Sequence, residues 1–210
     1  IALSYSTYDT SAYMGWAFAR FWGVSNWAST LVGRLSYDPG DIKDISELLA
    51  PCNNWEDRFS PLDPLNGEDI YEVRLVNNLL CRENGHKDEE GREHWTKVAA
   101  WSRVFARTNV GYRFLRYTEL ADAKRLMSED TPIILDNCGC ASDEQYNAIK
   151  SFLEKGGKVI MALPFGIKDE KGFLREKPLS EELVEANYPG LFLIDSNIAD
   201  EYRVAELIKK

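Results

Sequence analysis

Residues Pro132 to Gly166 read PIILDNCGCASDEQYNAIKSFLEKGGKVIMALPFG, and this stretch decides the fold class. The run Ile133 to Asp136 is a short buried strand that ends in a small polar turn. Ser142 is placed as a helix N-cap, and Gln145 three residues later completes a capping box. Asp143 and Glu144 sit at the positive end of the helix dipole, Lys150 and Lys155 toward the negative end. Tyr146, Ile149, Phe152 and Leu153 form one apolar stripe. Gly156-Gly157 stops the helix, because glycine takes the left-handed conformation at a helix end without steric cost. Lys158 to Leu163 returns as a second buried strand. A strand–helix–strand unit of this kind builds a parallel sheet.

The pattern repeats outward. Ile1 to Ser6 reads as a first strand, Tyr112 to Tyr117 as another, and Leu191 to Ile194 as the last. Helical periodicity marks Ser11 to Leu35, Glu68 to Leu80 (from Ile70, Val73 and Val76), and His94 to Phe105 with Trp95, Val98, Trp101 and Phe105 on one side. Thr118 caps a helix over Glu119 to Met127, and helices follow over Ser180 to Ala186 and Ile198 to Lys210. Pro39, Pro51, Pro61, Pro64 and several glycines punctuate the region after Ser36, so 36–105 reads as a helical and loop insertion. The expectation is a single α/β domain over 1–210 with a mainly parallel sheet. Because the first strand begins at Ile1 itself, the domain is expected to be cut from a longer chain.

Composition narrows the function. A length of 210 residues, 44% hydrophobic and 28% charged, describes a globular domain. The net charge of −9 argues against a nucleic-acid or anionic-membrane partner, since both need a basic surface. No apolar run reaches the roughly 20 residues of a spanning helix. Nothing in the sequence assigns a compartment. The four cysteines, Cys52, Cys81, Cys138 and Cys140, match neither a zinc pattern nor a disulfide scaffold and read as free thiols. No cofactor or metal is implied. Cys81, His86, Glu90 and His94 have no zinc spacing, and the charged stretch RENGHKDEEGRE reads as a solvated loop.

In an open parallel sheet, ligands bind beyond the carboxyl ends of the strands. The residues expected beyond the strand ends are Ser6, Thr7 and Asp9 after the first strand, then Asn137, Cys138, Gly139 and Cys140, then Pro164, Phe165, Gly166 and Asp169, then Asp195, Ser196 and Asn197, with Ser6, Thr7, Asp9, Asn137, Cys138, Phe165 and Asp169 the leading candidates to line the crevice. Cys138 is the one candidate nucleophile, at a strand end beside a helix N-terminus. It needs a base, and the only histidines, His86 and His94, lie in or beside the charged loop. The carboxylate pairs, such as Asp169 with Glu170, are adjacent and exposed. They do not form the spaced acid/base couple of a glycosidase. The six tryptophans fall in the first half and read as core, with an interface as the alternative.

The strand PIIL, the helix DEQYNAIKSFLEKGG, the strand KVIMAL and the following Gly166-Ile167-Lys168-Asp169-Glu170 resemble the middle, trimerisation domain of glycoside hydrolase family 42 β-galactosidases. The resemblance implies a flavodoxin-like, class I glutamine-amidotransferase-like three-layer fold. In true amidotransferases the nucleophilic cysteine follows the strand after the Gly-Gly. Here that place reads Ala162-Leu163-Pro164-Phe165, with no thiol, so the resemblance implies a non-catalytic relative. The function expected is an accessory or oligomerisation domain of a β-galactosidase-like glycoside hydrolase. Its partners would be the catalytic domain of the same longer chain, further copies of itself, and carbohydrate. The alternatives are a small-molecule hydrolase or amidotransferase using Cys138, and a carbohydrate-binding module using the aromatic first half.

Overall fold

The structure, a computed structural model, describes residues 2–5, 13–18, 26–29, 45–59 and 70–209. The chain divides into two compact units, Ile1–Glu68 and Asp69–Lys210. In the first, β1 (Ala2–Tyr5) pairs in parallel with β2 (Asn26–Ser29), with helices α1 (13–18) and α2 (Ile45–Phe59). The continuous helix expected over Ser11 to Leu35 is therefore interrupted. Asn-Trp-Ala-Ser pairs as a strand, with Trp27 in register with Leu3 and Ala28 with Ser4. Trp16 donates its indole N–H to Glu56 at 2.6 Å and meets Trp55 edge-on at 5.7 Å.

The second unit holds β3 (Val73–Asn77), α3 (Leu79–Glu83), α4 (His94–Thr108), β4 (Tyr112–Arg116), α5 (Tyr117–Leu120), α6 (Ala123–Met127), β5 (Ile133–Leu135), α7 (Asp143–Glu154), β6 (Val159–Ala162), α8 (Leu179–Glu185), β7 (Leu191–Ile194) and α9 (Ile198–Ile208). Its five strands are all parallel, in the order β4-β3-β5-β6-β7. Two expectations change here. β1 lies in a separate sheet, and the segment expected to be helical over Glu68 to Leu80 contains a central strand. The stretch 36–105 thus contributes β3 and α4 to the core of this unit rather than only an insertion.

Arg74 explains the second change. It breaks the apolar run of β3, yet it is fully buried. Its guanidinium donates to the carbonyls of Leu126 (2.9 Å), Glu129 (3.1 Å) and Thr131 (2.6 Å) and stacks over Phe152. A buried cation whose donors are satisfied behaves as a core residue.

Helices cover both faces of the sheet. Val76, Leu115, Ile133, Leu135, Val159 and Met161 meet Leu120, Leu126, Ile149, Phe152 and Leu183 on one face. Val73, Leu75, Ile134, Ile160 and Ile194 meet Trp101, Val104, Phe105 and Val204 on the other. The alternation of period two along each strand sends successive side chains to opposite layers. The α7 unit is as expected. Ser142 accepts from the Gln145 amide at 3.2 Å, Gln145 returns a bond to the Ser142 amide at 3.1 Å, and Gly156 closes the helix at φ 86°. Thr118 is not a cap. The expected helix over Glu119 to Met127 is two short ones, the second capped by Asp122, which accepts from Lys124 and Arg125 amides.

Candidate functional site

The order β4-β3-β5-β6-β7 reverses direction between β3 and β5, and that switch point is where such sheets open a ligand crevice. Here it is filled by side chains. Asn78, following β3, donates its amide side chain to the Cys140 carbonyl at 2.7 Å. Its backbone N–H donates to His94 Nε2 at 2.9 Å. Since Nε2 accepts, the proton of neutral His94 lies on Nδ1, which donates to the Asp136 carbonyl at 3.0 Å. Burial holds His94 below the usual imidazole range, with the bond to Asp136 opposing. Both ring nitrogens are spent on the backbone.

Cys138 lies in this plug. Its sulfur is 4.0 Å from His94 Nδ1 and 3.6 Å from the Asp136 carbonyl, and the residue is 1% exposed. The structure therefore brings a histidine beside Cys138, which the sequence did not place there. That histidine cannot act as a base, because neither nitrogen has a lone pair free. Burial pushes the thiol well above its ordinary pKa, and the Asp136 carboxylate adds to the rise. A thiolate nucleophile needs the opposite environment.

Beneath the plug runs a buried ionic network. Asp136 accepts from the Trp101 indole at 2.8 Å and from the Ser196 hydroxyl at 2.6 Å. Lys97 lies 3.9 Å from Asp136 and 3.1 Å from Glu201, and also donates to the Ser196 carbonyl. All three charged residues are at most 4% exposed. Burial raises the Glu201 carboxyl, and Lys97 opposes it. The network sets the face of α4. His94, Lys97, Trp101, Val104 and Phe105 point inward, while Trp95, expected on the inner face, is 57% exposed.

The loop between α3 and α4 is mostly exposed, as its charged sequence predicts, but it turns one residue, His86, into the interior. His86 lies against Gly139, so closely that a Cβ built there would meet the ring at 2.0 Å. Asn137, at φ 51°, donates to the Arg92 carbonyl at 3.0 Å, so its side-chain oxygen faces His86 Nε2 at 3.1 Å. Nε2 is then the protonated nitrogen. Burial, then Lys168, hold His86 below the usual imidazole range.

An open cleft of about 930 Å³ remains over the ends of β5, β6 and β7. His86 to Glu90 and Arg92 form one wall, Asp136, Asn137, Leu163 and Pro164 the floor, and Asp195 to Asn197, Asp200 and Arg203 the far wall. Its cations are matched: Arg92 pairs with Asp88 and Glu90 at 2.7 Å each, and Arg203 with Asp200 at 2.7 Å. Among the described residues no cluster of metal-ligating side chains occurs, and no helix is long and apolar enough to cross a membrane.

Of the described residues expected beyond the strand ends, Asn137, Pro164, Asp195, Ser196 and Asn197 line the cleft, whereas Cys138 is sealed in the plug. Phe165 is fully buried in the core, with its N–H directed to the Ser180 hydroxyl. Asp169 is a turn residue, accepting from the Lys171 and Phe173 amides at 2.9 and 2.8 Å. Ser6, Thr7 and Asp9 lie outside the described residues. His86, His94, Lys97, Asp136, Ser196 and Glu201 carry the chemistry instead. Of these, Ser196 is among the residues expected after the last strand, and His86 and His94 are the histidines considered as a base; Lys97, Asp136 and Glu201 carry no signal in the sequence.

No protein-family model matches the chain, and no curated protein matches its sequence. The fold is shared with one segment of solved glycoside hydrolase family 42 structures. The exo-carrageenase of that family from Bacteroides ovatus superposes with a TM-score of 0.62 at 13% identity, over 96% of this chain and 27% of the other. The β-galactosidase from Rahnella sp. R3 gives 0.59 at 13% identity, over 80% and 26%. That from the psychrophilic Marinomonas ef1 gives 0.58 at 11% identity, over 85% and 29%. The chain thus spans under a third of the length of the structures it matches.

Proposed function

We propose that this chain is a non-catalytic accessory domain of a larger, β-galactosidase-like glycoside hydrolase, built on a flavodoxin-like, amidotransferase-like scaffold. The observation that carries the non-catalytic reading is the plug. At the switch point of the sheet, Asn78, His94 and Cys138 have their polar groups engaged with backbone or sealed from solvent. The strand order, with the chain reversing between β3 and β5, supports the flavodoxin-like assignment. The shared fold with a segment of family 42 structures supports the parent enzyme.

In this reading the domain packs against the catalytic domain of the same protein and takes part in an oligomer. Two results test it together. The coding sequence contiguous with this segment is expected to encode a glycoside hydrolase barrel. In the whole protein, Cys138→Ser is expected to leave glycoside turnover within twofold of wild type. A contiguous reading frame without a barrel, or a turnover that collapses with Cys138, contradicts the proposal.

A further inference from the structure

We infer that Cys81 and Cys140 form a reversible redox couple, a modification site in which a disulfide ties helix α3 to the strand-end turn after β5. The two residues are 59 positions apart in sequence, yet the Cys81 sulfur lies against the Cys140 backbone. The Cys140 N–H donates to Cys81 Sγ at 3.3 Å, and the Cys81 thiol donates back to the Cys140 carbonyl at 3.6 Å. A sulfur that touches both the amide and the carbonyl of the second cysteine has little distance left to close. A disulfide tolerates Cα separations of about 4.4–6.8 Å. Both residues are fully buried and both are free thiols.

The environment also separates the roles of the two sulfurs. The neighbouring Cys81 side chain, then the Lys168 ammonium, favours the thiolate at Cys140, against desolvation. The Cys140 side chain and burial hold Cys81 protonated. Cys140 is therefore the attacking sulfur and Cys81 the resolving one. With a low-molecular-weight disulfide as oxidant, the Cys140 thiolate attacks one of its sulfurs and expels a thiolate, leaving a mixed disulfide. Cys81 then attacks the Cys140 sulfur and expels the second thiolate. The two protein thiols lose two electrons and two protons, and the oxidant leaves as two thiols. Because both cysteines are buried, exchange proceeds through local opening of α3, a single short turn of five residues.

The consequence is mechanical. The loop from Asn84 to Glu93 hangs from α3 and forms one wall of the cleft through His86 to Glu90. Oxidation fixes the base of that wall to the turn that carries Asn137 and Gly139. Cys138 is the competing thiol, but its sulfur turns to the Asp136 carbonyl and to His94.

The test equilibrates the native chain in a series of glutathione redox buffers until the mass spectrum stops changing, then traps free thiols and maps peptides without reduction. The expected result is one protein disulfide, Cys81 to Cys140, with Cys52 and Cys138 still alkylated. The oxidised form should melt about 10 °C higher, the order expected for closing a loop of this length. Cys81→Ser should leave Cys140 as a mixed disulfide with glutathione, and Cys138→Ser should leave the couple intact. Full alkylation of all four cysteines in the most oxidising buffer overturns the inference. So does a dominant Cys138 pairing, or an oxidised form that melts no higher than the reduced one.

Discussion

Gly139→Ala is the sharpest probe of how the strand-end plug is held. Gly139 has no left-handed backbone requirement, so an alanine there is tested by space alone. Its Cβ would lie 2.0 Å from His86 Nε2 and 2.1 Å from Cε1. Comfortable contacts between heavy atoms begin at about 3.5 Å, so the imidazole must retreat by roughly 1.5 Å. The ring is 3% exposed and is held by the bond to Asn137 at 3.1 Å, which that retreat breaks. Overpacking costs about 1–3 kcal/mol and the lost bond about 1 kcal/mol, giving about 2–4 kcal/mol in all. For a unit of this size the melting temperature should fall by about 5–15 °C. Urea unfolding followed by tryptophan fluorescence measures the free energy, and amide exchange over 84–93 locates it. The steric origin is isolated by His86→Ala, which empties the space. In that background Gly139→Ala should cost under about 0.5 kcal/mol. A single variant within about 0.5 kcal/mol of wild type refutes the packing described. An equal cost with and without His86 refutes it as well.

Three further outcomes follow from the buried polar groups of this unit. Lys97→Met strands the buried carboxylates of Asp136 and Glu201 and should cost about 3–5 kcal/mol in urea unfolding; adding Glu201→Gln should restore part of it. Arg74→Leu should destabilise by a similar amount, about 3 kcal/mol, because it leaves the carbonyls of Leu126, Glu129 and Thr131 without their shared donor; thermal melting reads this directly. The pH dependence has a definite sign. His86 and His94 both have folded pKa values held below the ordinary 6.5, so the unfolded chain binds protons first. Their contribution is complete above about pH 6.5 and is lost as pH falls toward the folded values, by up to about 1.4 kcal/mol per pH unit for each histidine. His94→Gln should flatten roughly half of that slope between pH 6.5 and 5, and an unchanged slope would contradict the assignment.

The α7 unit was legible because each local signal pointed the same way: the Ser142 cap, the Gln145 return bond, the apolar stripe and Gly156. β5, β6 and β7 were legible for the same reason, as short apolar runs between turn residues. β3 was not, because Arg74 interrupts its run and the partners that make Arg74 a core residue come from more than 50 positions away. The inner face of α4 was misread for a related cause. His94 and Lys97 look like solvent-facing residues until Asn78, Asp136 and Glu201 supply their bonds. The candidate site divided along the same line. The location beyond the strand ends is a property of parallel sheets and could be named in advance. Which side chains fill it depends on tertiary pairing, so Phe165 proved to be core and Asp169 a turn. Cys138 does follow the end of β5, but its burial against the Asp136 carbonyl is invisible in sequence.

The most direct measurement of the central claim is turnover by the purified chain itself. It should be assayed against aryl glycosides, simple amides and simple esters, with Cys138→Ser alongside. The plugged switch point predicts no turnover above buffer with any substrate, and no difference between the two proteins. Turnover that disappears in Cys138→Ser would contradict the account, because it would require an accessible, activated sulfur where the structure places a sealed one.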